Sequence, residues 1–194
     1  MTPASAQTRL GAVAEAAKSE LTVNGRTTRR RLLILGENEL EVVRAAGGLT
    51  YDWSSGGWEV VVHLAQPSDD RPLKILGART VPLTSIDNFS RGALWPSVII
   101  ASPSVYRQNI TVRDYFTRAL LQGHAATAML GDDWPTGLGT DIRHFRHEPS
   151  PAARAFKLQA MLAAKVDPAP ADSVEMLRGS SRAFTSHRCA FTHA

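Results

Sequence analysis

The chain has 194 residues, with 22 Lys and Arg against 18 Asp and Glu, 43% hydrophobic residues and one cysteine. This length predicts one domain of ordinary size, and the apolar fraction is sufficient for a buried core, which excludes wholesale disorder. A single cysteine excludes a disulfide framework and a zinc site built from several cysteines. The formal net charge of +4 is mildly basic, short of the basic stripe typical of nucleic-acid-binding proteins.

The sequence carries no targeting or membrane signal that we recognise. Its first residues lack the basic region and the continuous apolar region of a secretory signal. No apolar run approaches the roughly 18 residues of a transmembrane helix. Together with the lone thiol, these features predict a cytoplasmic protein without membrane contact. The frequent Ala and Arg favour a bacterial source.

The amino-terminal part predicts an arm outside the main domain. Residues 8–21 are rich in Ala, with apolar residues at helical spacing, namely Leu10, Val13, Ala14 and Ala17. The Asn24-Gly25 pair that follows is a turn signal. We therefore predict a helical arm and a turn over residues 1–28.

Between residues 29 and 165, continuous apolar runs alternate with helical patterns. Such runs are typical of strands buried on both faces, and they cover 31–36, 58–65, 97–102 and 126–131. Two shorter strands are predicted over 80–83, an edge strand because it contains Pro82, and over 142–147. Helical patterns with capping signals cover about 38–55, 70–77, 111–123 and 150–164. This alternation predicts a Rossmann-like or flavodoxin-like α/β domain, with three layers and a mostly parallel sheet of about five strands.

The composition changes after Lys165. The stretch Asp167-Pro168-Ala169-Pro170-Ala171 is typical of a linker, and no acidic residue follows Glu175. We therefore predict a flexible basic tail over residues 166–194.

A binding site in such a fold is expected beyond the carboxyl ends of the strands. Polar or turn-forming residues follow three of the predicted strands, and they form our candidate ligand-binding set: Gly36, Glu37, Asn38, Ser102, Ser104, Asp132 and Asp133. The first of these turns has one glycine and three acidic residues, whereas dinucleotide binding needs Gly-x-Gly-x-x-Gly. Because carboxylates repel phosphate, NAD, FAD and P-loop nucleotides are disfavoured, and no cofactor is expected.

The pair Asp132-Asp133 has two interpretations. Paired acids at a strand end could bind Mg²⁺ or act as acid and base. A Gly-Asp-Asp segment before Trp134-Pro135 is also typical of a turn, which is the interpretation we favour. His144 and His147 lie three residues apart on a predicted strand, where they would point to opposite faces. No metal site is therefore predicted.

The first half of the domain resembles one known family in its layout. A strand, an acidic turn, a helix with Gly47-Gly48 and a second strand follow one another, as in the zinc-dependent LmbE-like deacetylases. That family carries a His-Pro-Asp-Asp metal motif in the turn. The turn Glu37-Asn38-Glu39 has no His, Pro or Asp, and Gly47-Gly48 is slightly out of register. The resemblance therefore implies the α/β layout, and the activity is not carried over.

No catalytic motif is recognisable, so the sequence favours a non-enzymatic α/β domain that acts as an interaction or regulatory module. Its partner would be another protein or a second copy of the chain. A basic run predicts weak non-specific contact with nucleic acid or phosphate, through Arg26, Arg29, Arg30 and Arg31. Two alternatives stay open: a domain that senses a small molecule or nucleotide at the strand ends, and a metal-assisted hydrolase that uses Asp132 and Asp133 with Glu37.

Overall fold

The computed structural model describes residues 21–23, 26–28, 30–89, 95–139, 141–166, 174–180 and 192–193. These residues form ten strands: β1 (Leu21–Val23), β2 (Arg26–Thr28), β3 (Arg31–Gly36), β4 (Glu59–Leu64), β5 (Arg79–Pro82), β6 (Val98–Ala101), β7 (Ala126–Leu130), β8 (Ile142–His147), β9 (Glu175–Ser180) and β10 (Thr192–His193). They also form five α-helices: α1 (Glu39–Ser55), α2 (Arg71–Ile75), α3 (Pro103–Gln108), α4 (Ile110–Gln122) and α5 (Pro151–Ala163). A 3-10 helix spans Leu83–Phe89.

One sheet of eight strands organises the molecule, in the order β10-β8-β9-β7-β6-β3-β4-β5. Five strands form its parallel part, in the order β7-β6-β3-β4-β5, and each adjacent pair among them is parallel. Beyond β7 the sheet continues with antiparallel pairs, while β1 and β2 pair with each other. The predicted three-layer α/β fold with a mostly parallel sheet is confirmed. Its five parallel strands coincide with predicted strands, whereas the sixth predicted strand, β8, pairs antiparallel with β9.

The core lies in two layers because the central strands bury side chains on both faces. On β3, Leu32 and Ile34 face the layer of α1, α2 and α5, while Leu33 and Leu35 face the layer of α3 and α4. All four side chains are fully buried. This two-sided burial explains why the strand sequence is apolar without alternation.

Strand β9 corrects our prediction of a flexible tail over residues 166–194. Glu175–Ser180 lies inside the sheet between β7 and β8, and its Leu177 is fully buried. The Pro-rich stretch before it resembles the end of a domain, but the chain returns to the sheet after that stretch. Residues 167–173 and 181–191 lie outside the described residues, as do residues 8–20 of the predicted helix, whereas Leu21 at the end of that prediction lies in β1.

The Gly47-Gly48 pair lies where α5 and the segment before it approach the backbone of α1. A Cβ at position 48 would come within 2.5 Å of Pro149 Cγ, and one at position 47 within 3.1 Å of Lys157 Cγ. The pair therefore serves close backbone packing.

None of the helices in the described segments has the length and apolar character needed to cross a membrane.

Candidate functional site

The order of the strands creates a crevice at the carboxyl ends of β3 and β6. After β3 the chain builds β4 and β5 on one side, and then crosses back to build β6 and β7 on the other side. The helices that follow β3 and β6 therefore diverge to opposite faces of the sheet. Ligands in open α/β sheets bind at such a topological switch point.

The turn after β3 directs an acidic side chain into this crevice. Asn38 caps helix α1, since its Oδ1 accepts a hydrogen bond from the Glu41 amide at 3.0 Å. The Glu41 side chain folds back, and its Oε2 accepts the Glu37 amide at 2.7 Å. This reciprocal arrangement resembles a capping box. It leaves the other carboxylate oxygen of Glu41 free to bond across the crevice.

Hydroxyl groups from the end of β6 meet these carboxylates. Ser102 Oγ donates to Glu41 Oε1 at 2.5 Å and lies 2.8 Å from Ser104 Oγ. Ser104 Oγ also lies 3.4 Å from Glu37 Oε2 and 3.5 Å from Glu41 Oε1. We call Glu37, Glu41, Ser102 and Ser104 the switch-point cluster. Ser102 is fully buried, whereas the other three side chains are partly exposed.

The switch-point cluster is negatively charged without a compensating cation. In the described part of the chain, no Lys, Arg or His forms an ion pair with either glutamate. The nearest additional donor is the amide of Gln66, whose Nε2 donates to Glu37 Oε1 at 2.6 Å. The carboxylates are therefore held by neutral donors, which leaves their charge directed at the crevice.

Two open cavities flank this edge of the sheet. One, of about 600 Å³, is lined by residues from the β3–α1 turn, the β4–α2 loop and the end of α5, among them Asn38, Gln66 and Lys165. The other, of about 540 Å³, runs along the first turns of α1 and includes Glu41 and Arg44. A small molecule therefore has space on either side of Asn38.

The third acid of the turn has a structural position. Glu39 is 4% exposed, and its carboxylate accepts the amides of Ser68 and Asp69 at 2.6 and 3.1 Å. It also accepts the hydroxyl of Ser68 at 3.0 Å. Glu39 thus fixes the β4–α2 loop, and only two of the three acids face the crevice.

Asp132 and Asp133 do not join the switch-point cluster. Asp133 pairs with Arg107, and Asp132 Oδ1 lies 3.4 Å from His144 Nδ1. Both aspartates are largely exposed, and Gly131 before them has a positive φ of 75°. This is the turn that we favoured, so only Glu37, of the three residues assigned to the hydrolase alternative, lies in the switch-point cluster. The second histidine, His147, bonds to Asp52 at a separate place.

Two side chains of the arginine run are described, and both contact partners within the fold. Arg31 binds Glu59, with Nη2 at 2.8 Å from Oε2, and the guanidinium of Arg30 lies over the Trp58 ring. The side chains of Arg26 and Arg29 lie outside the described residues. Contact of this run with a polyanion stays a prediction.

The structure therefore unites Glu37, Ser102 and Ser104 of the candidate set, with Gly36 and Asn38 shaping the turn. Sequence reasoning missed Glu41 and Gln66 as members of the site. The Asn38-x-x-Glu41 spacing carried a signal for Glu41, because a glutamate at the third helical position commonly bonds back toward the residues before the helix. Gln66 is the second residue after β4, so the sequence also indicated its position at this edge of the sheet.

The zinc that the family resemblance implies does not fit these residues. Protein zinc sites use mainly histidine and cysteine ligands, and the switch-point cluster offers only carboxylates and hydroxyls. Among the described residues, no group of three or more His, Cys, Asp and Glu side chains could hold a metal ion. We therefore derive no step through zinc.

Comparison with known proteins gives only distant structural likeness. No family model and no curated protein matches the chain. Among solved structures, a teicoplanin-bound deacetylase from teicoplanin biosynthesis is 13% identical, with a TM-score of 0.49, over 77% of this chain and 97% of that chain. A triple mutant of a deacetylase from this pathway is 14% identical, with a TM-score of 0.48, over 68% of this chain and 80% of that chain.

At this identity the likeness concerns the fold. The four deacetylase structures among the matches contradict our prediction of a non-enzymatic interaction module, so that prediction is not kept.

Proposed function

We propose that the chain is a hydrolase that cleaves an acyl bond, an ester or an amide, of a small molecule at the switch-point cluster. The observation that carries this proposal is the hydrogen-bonded chain from Ser104 through Ser102 to Glu41, with links of 2.8 and 2.5 Å. A serine hydroxyl becomes a nucleophile when a base within hydrogen-bond reach takes its proton.

Ser104 is the attacking group, because it is the partly exposed member of the two serines. Its Oγ forms a bond to the carbonyl carbon, while its proton passes to Ser102 Oγ and the Ser102 proton passes to Glu41. The proton then goes to the leaving alcohol or amine. Water attacks the resulting acyl-serine, with Glu41 as the base, and releases the acid and the free hydroxyl.

Glu37 provides the second carboxylate. Its Oε2 lies 3.4 Å from Ser104 Oγ, a distance typical of catalytic bonds that tighten when substrate binds. Gln66 holds the other oxygen of Glu37 and so fixes the direction of the carboxylate. Two carboxylates without a cation also favour a neutral or cationic substrate over an anionic one.

The test uses a fluorophosphonate probe, which needs no knowledge of the substrate. An activated serine bonds to its phosphorus and expels fluoride. We expect mass spectrometry to find the label on Ser104 in the wild-type chain. Ser104→Ala abolishes the label, and Glu41→Gln lowers its rate by about 100-fold or more, because general-base assistance is lost.

The matched control is Ser85→Ala, which removes a serine whose hydroxyl bonds to the Pro82 carbonyl outside the site. It should label at the wild-type rate. The proposal is wrong if Ser104 of folded wild-type protein stays unlabelled while a known serine hydrolase in the same tube reacts, or if Glu41→Gln labels as fast as the wild type.

A further inference from the structure

Helix α1 has a break in its middle, and a buried ion pair lies at this break. Ala46 has φ −146° and ψ 23°, outside the helical range, so the helix consists of two halves. Lys157 of α5 and Glu175 of β9 meet at this break, with Nζ 2.6 Å from Oε1. Their side chains are 3% and 1% exposed. We call these two residues, with the backbone groups that they bind, the helix-break cluster.

The pair satisfies the backbone groups that a broken helix leaves without partners. The Gly48 and Leu49 amides, at the start of the second half, donate to the Glu175 carboxylate at 2.8 and 2.7 Å. The Arg44 carbonyl, at the end of the first half, accepts from Lys157 Nζ at 2.7 Å. A negative charge thus caps a helix start and a positive charge caps a helix end, the arrangement that the helix dipole favours.

Both charges bind opposite sides of the same break, so they determine how the two halves meet. The first half carries Glu41 about a turn and a half before Ala46. Glu41 makes bonds of 2.5 and 2.7 Å to the ends of two different strands, which tolerate little displacement. A change of angle at the break would therefore move Glu41 relative to Ser102.

We propose that Lys157 and Glu175 are positioning residues that hold Glu41 against Ser102 through the break in α1. The value of this position for catalysis rests on the proposed function, whereas the coupling between the two clusters does not. Strand β9, which lies beyond the Pro-rich stretch of the sequence, thereby contributes Glu175 to the positioning of the site.

The experiment compares the wild type with Lys157→Met/Glu175→Gln, which removes both charges at similar side-chain volume. The first readout is the rate of fluorophosphonate labelling at Ser104, at a temperature where each variant is folded. The second is the proton chemical shift of the Glu37 amide, which reports its bond to Glu41 without any activity. Glu41→Gln gives the reference shift for a weakened bond.

Val60→Ala is the control for general loss of stability. Val60 is 3% exposed at the amino end of β4, whereas the site lies at the carboxyl ends of the strands, and Val60 belongs to neither cluster. Temperature is chosen so that the control and the double variant lie equally far below their melting midpoints.

We expect the double variant to label about tenfold more slowly or worse, since small misplacements of catalytic groups have large effects on rate. Its Glu37 amide should shift toward the value in Glu41→Gln, while Val60→Ala keeps both wild-type values. An unchanged amide shift in the double variant overturns the positioning role, and so does an equal shift in the control. If wild-type Ser104 does not label, the hydrolase proposal fails alone, and the amide shift still decides the coupling.

Discussion

The helix-break cluster and the switch-point cluster differ in whether their glutamates have a cationic partner and in how deeply these glutamates are buried. In the helix-break cluster, Glu175 has a lysine ammonium and two backbone amides as partners, and it is almost fully buried. In the switch-point cluster, Glu37 and Glu41 have no described cation and stay partly exposed at the crevice. A buried charge destabilises the folded state strongly when its partner is missing, whereas a partly exposed carboxylate without a cation adds little to stability.

This contrast leads to opposite expectations for the stability of the two clusters. Removing a partner from the helix-break cluster leaves a buried charge and unsatisfied amides, both of which destabilise the folded state. Removing a carboxylate from the switch-point cluster relieves repulsion between neighbouring charges. The same type of substitution should therefore change the free energy of unfolding with opposite sign in the two places.

The largest effect is expected for Glu175→Ala. This change leaves the Lys157 ammonium buried without a carboxylate and the Gly48 and Leu49 amides without acceptors. We expect the free energy of unfolding to fall by about 3–5 kcal/mol, measured by urea denaturation. Adding Lys157→Met should recover part of the loss, since the unpaired charge is gone. A loss below about 1 kcal/mol would show that the pair contributes nothing beyond a surface ion pair.

A second large effect comes from His63, a fully buried histidine in β4. Burial lowers its pKa to about 4, although its hydrogen bond to the Pro82 backbone opposes this change. Well above pH 6.5 neither the folded nor the unfolded chain binds a proton at His63, so this contribution to the stability is fully present there. As the pH falls from 6.5 toward 4, the unfolded chain takes up a proton that the folded chain refuses, and about 3 kcal/mol is lost.

The measurement is the free energy of unfolding against pH, compared with that of His63→Leu. The variant cannot titrate at this position, so its curve should be flatter between pH 6.5 and 4. Parallel curves for the two proteins would mean that His63 accepts a proton in the folded state.

The smallest effect, and the one with the opposite sign, is expected for Glu37→Gln. The amide keeps an oxygen for Gln66 and removes the repulsion with Glu41, so we expect the free energy of unfolding to rise by about 0.5 kcal/mol. The matched control is Glu59→Gln, which removes a carboxylate paired with Arg31 at 2.8 Å and should lower stability instead. Equal losses in both variants would remove the contrast between paired and unpaired glutamates.

Local patterns in the sequence determined the parallel part of the fold. Strands β3 and β6 appear as apolar runs because both faces of a central parallel strand are buried. Helix α4 was evident from its amphipathic spacing, with Gly123 adopting the left-handed conformation that ends it. The position of the site at the carboxyl ends of the strands followed from the same alternation.

Three features depended on contacts between residues distant in sequence. Strand β9 lies after a Pro-rich stretch that resembles a linker, and it is a strand because β7 and β8 pair with both of its edges. The backbone groups at the break in α1 find partners in Lys157 and Glu175, which lie more than 100 positions away. Glu41 and Ser102, 61 residues apart, meet only because β3 and β6 are neighbours in the sheet.

The sequence by itself therefore determined the parallel strands, four of the five described α-helices, the fold class and the edge of the sheet where polar residues collect, since periodicity and capping act over a few neighbouring residues. Only the tertiary structure decided which acids face the crevice, which are bound in loops or ion pairs, and which hydroxyls they meet. Those choices depend on strand order and on the partners that long-range packing brings to each carboxylate, and a linear pattern contains neither.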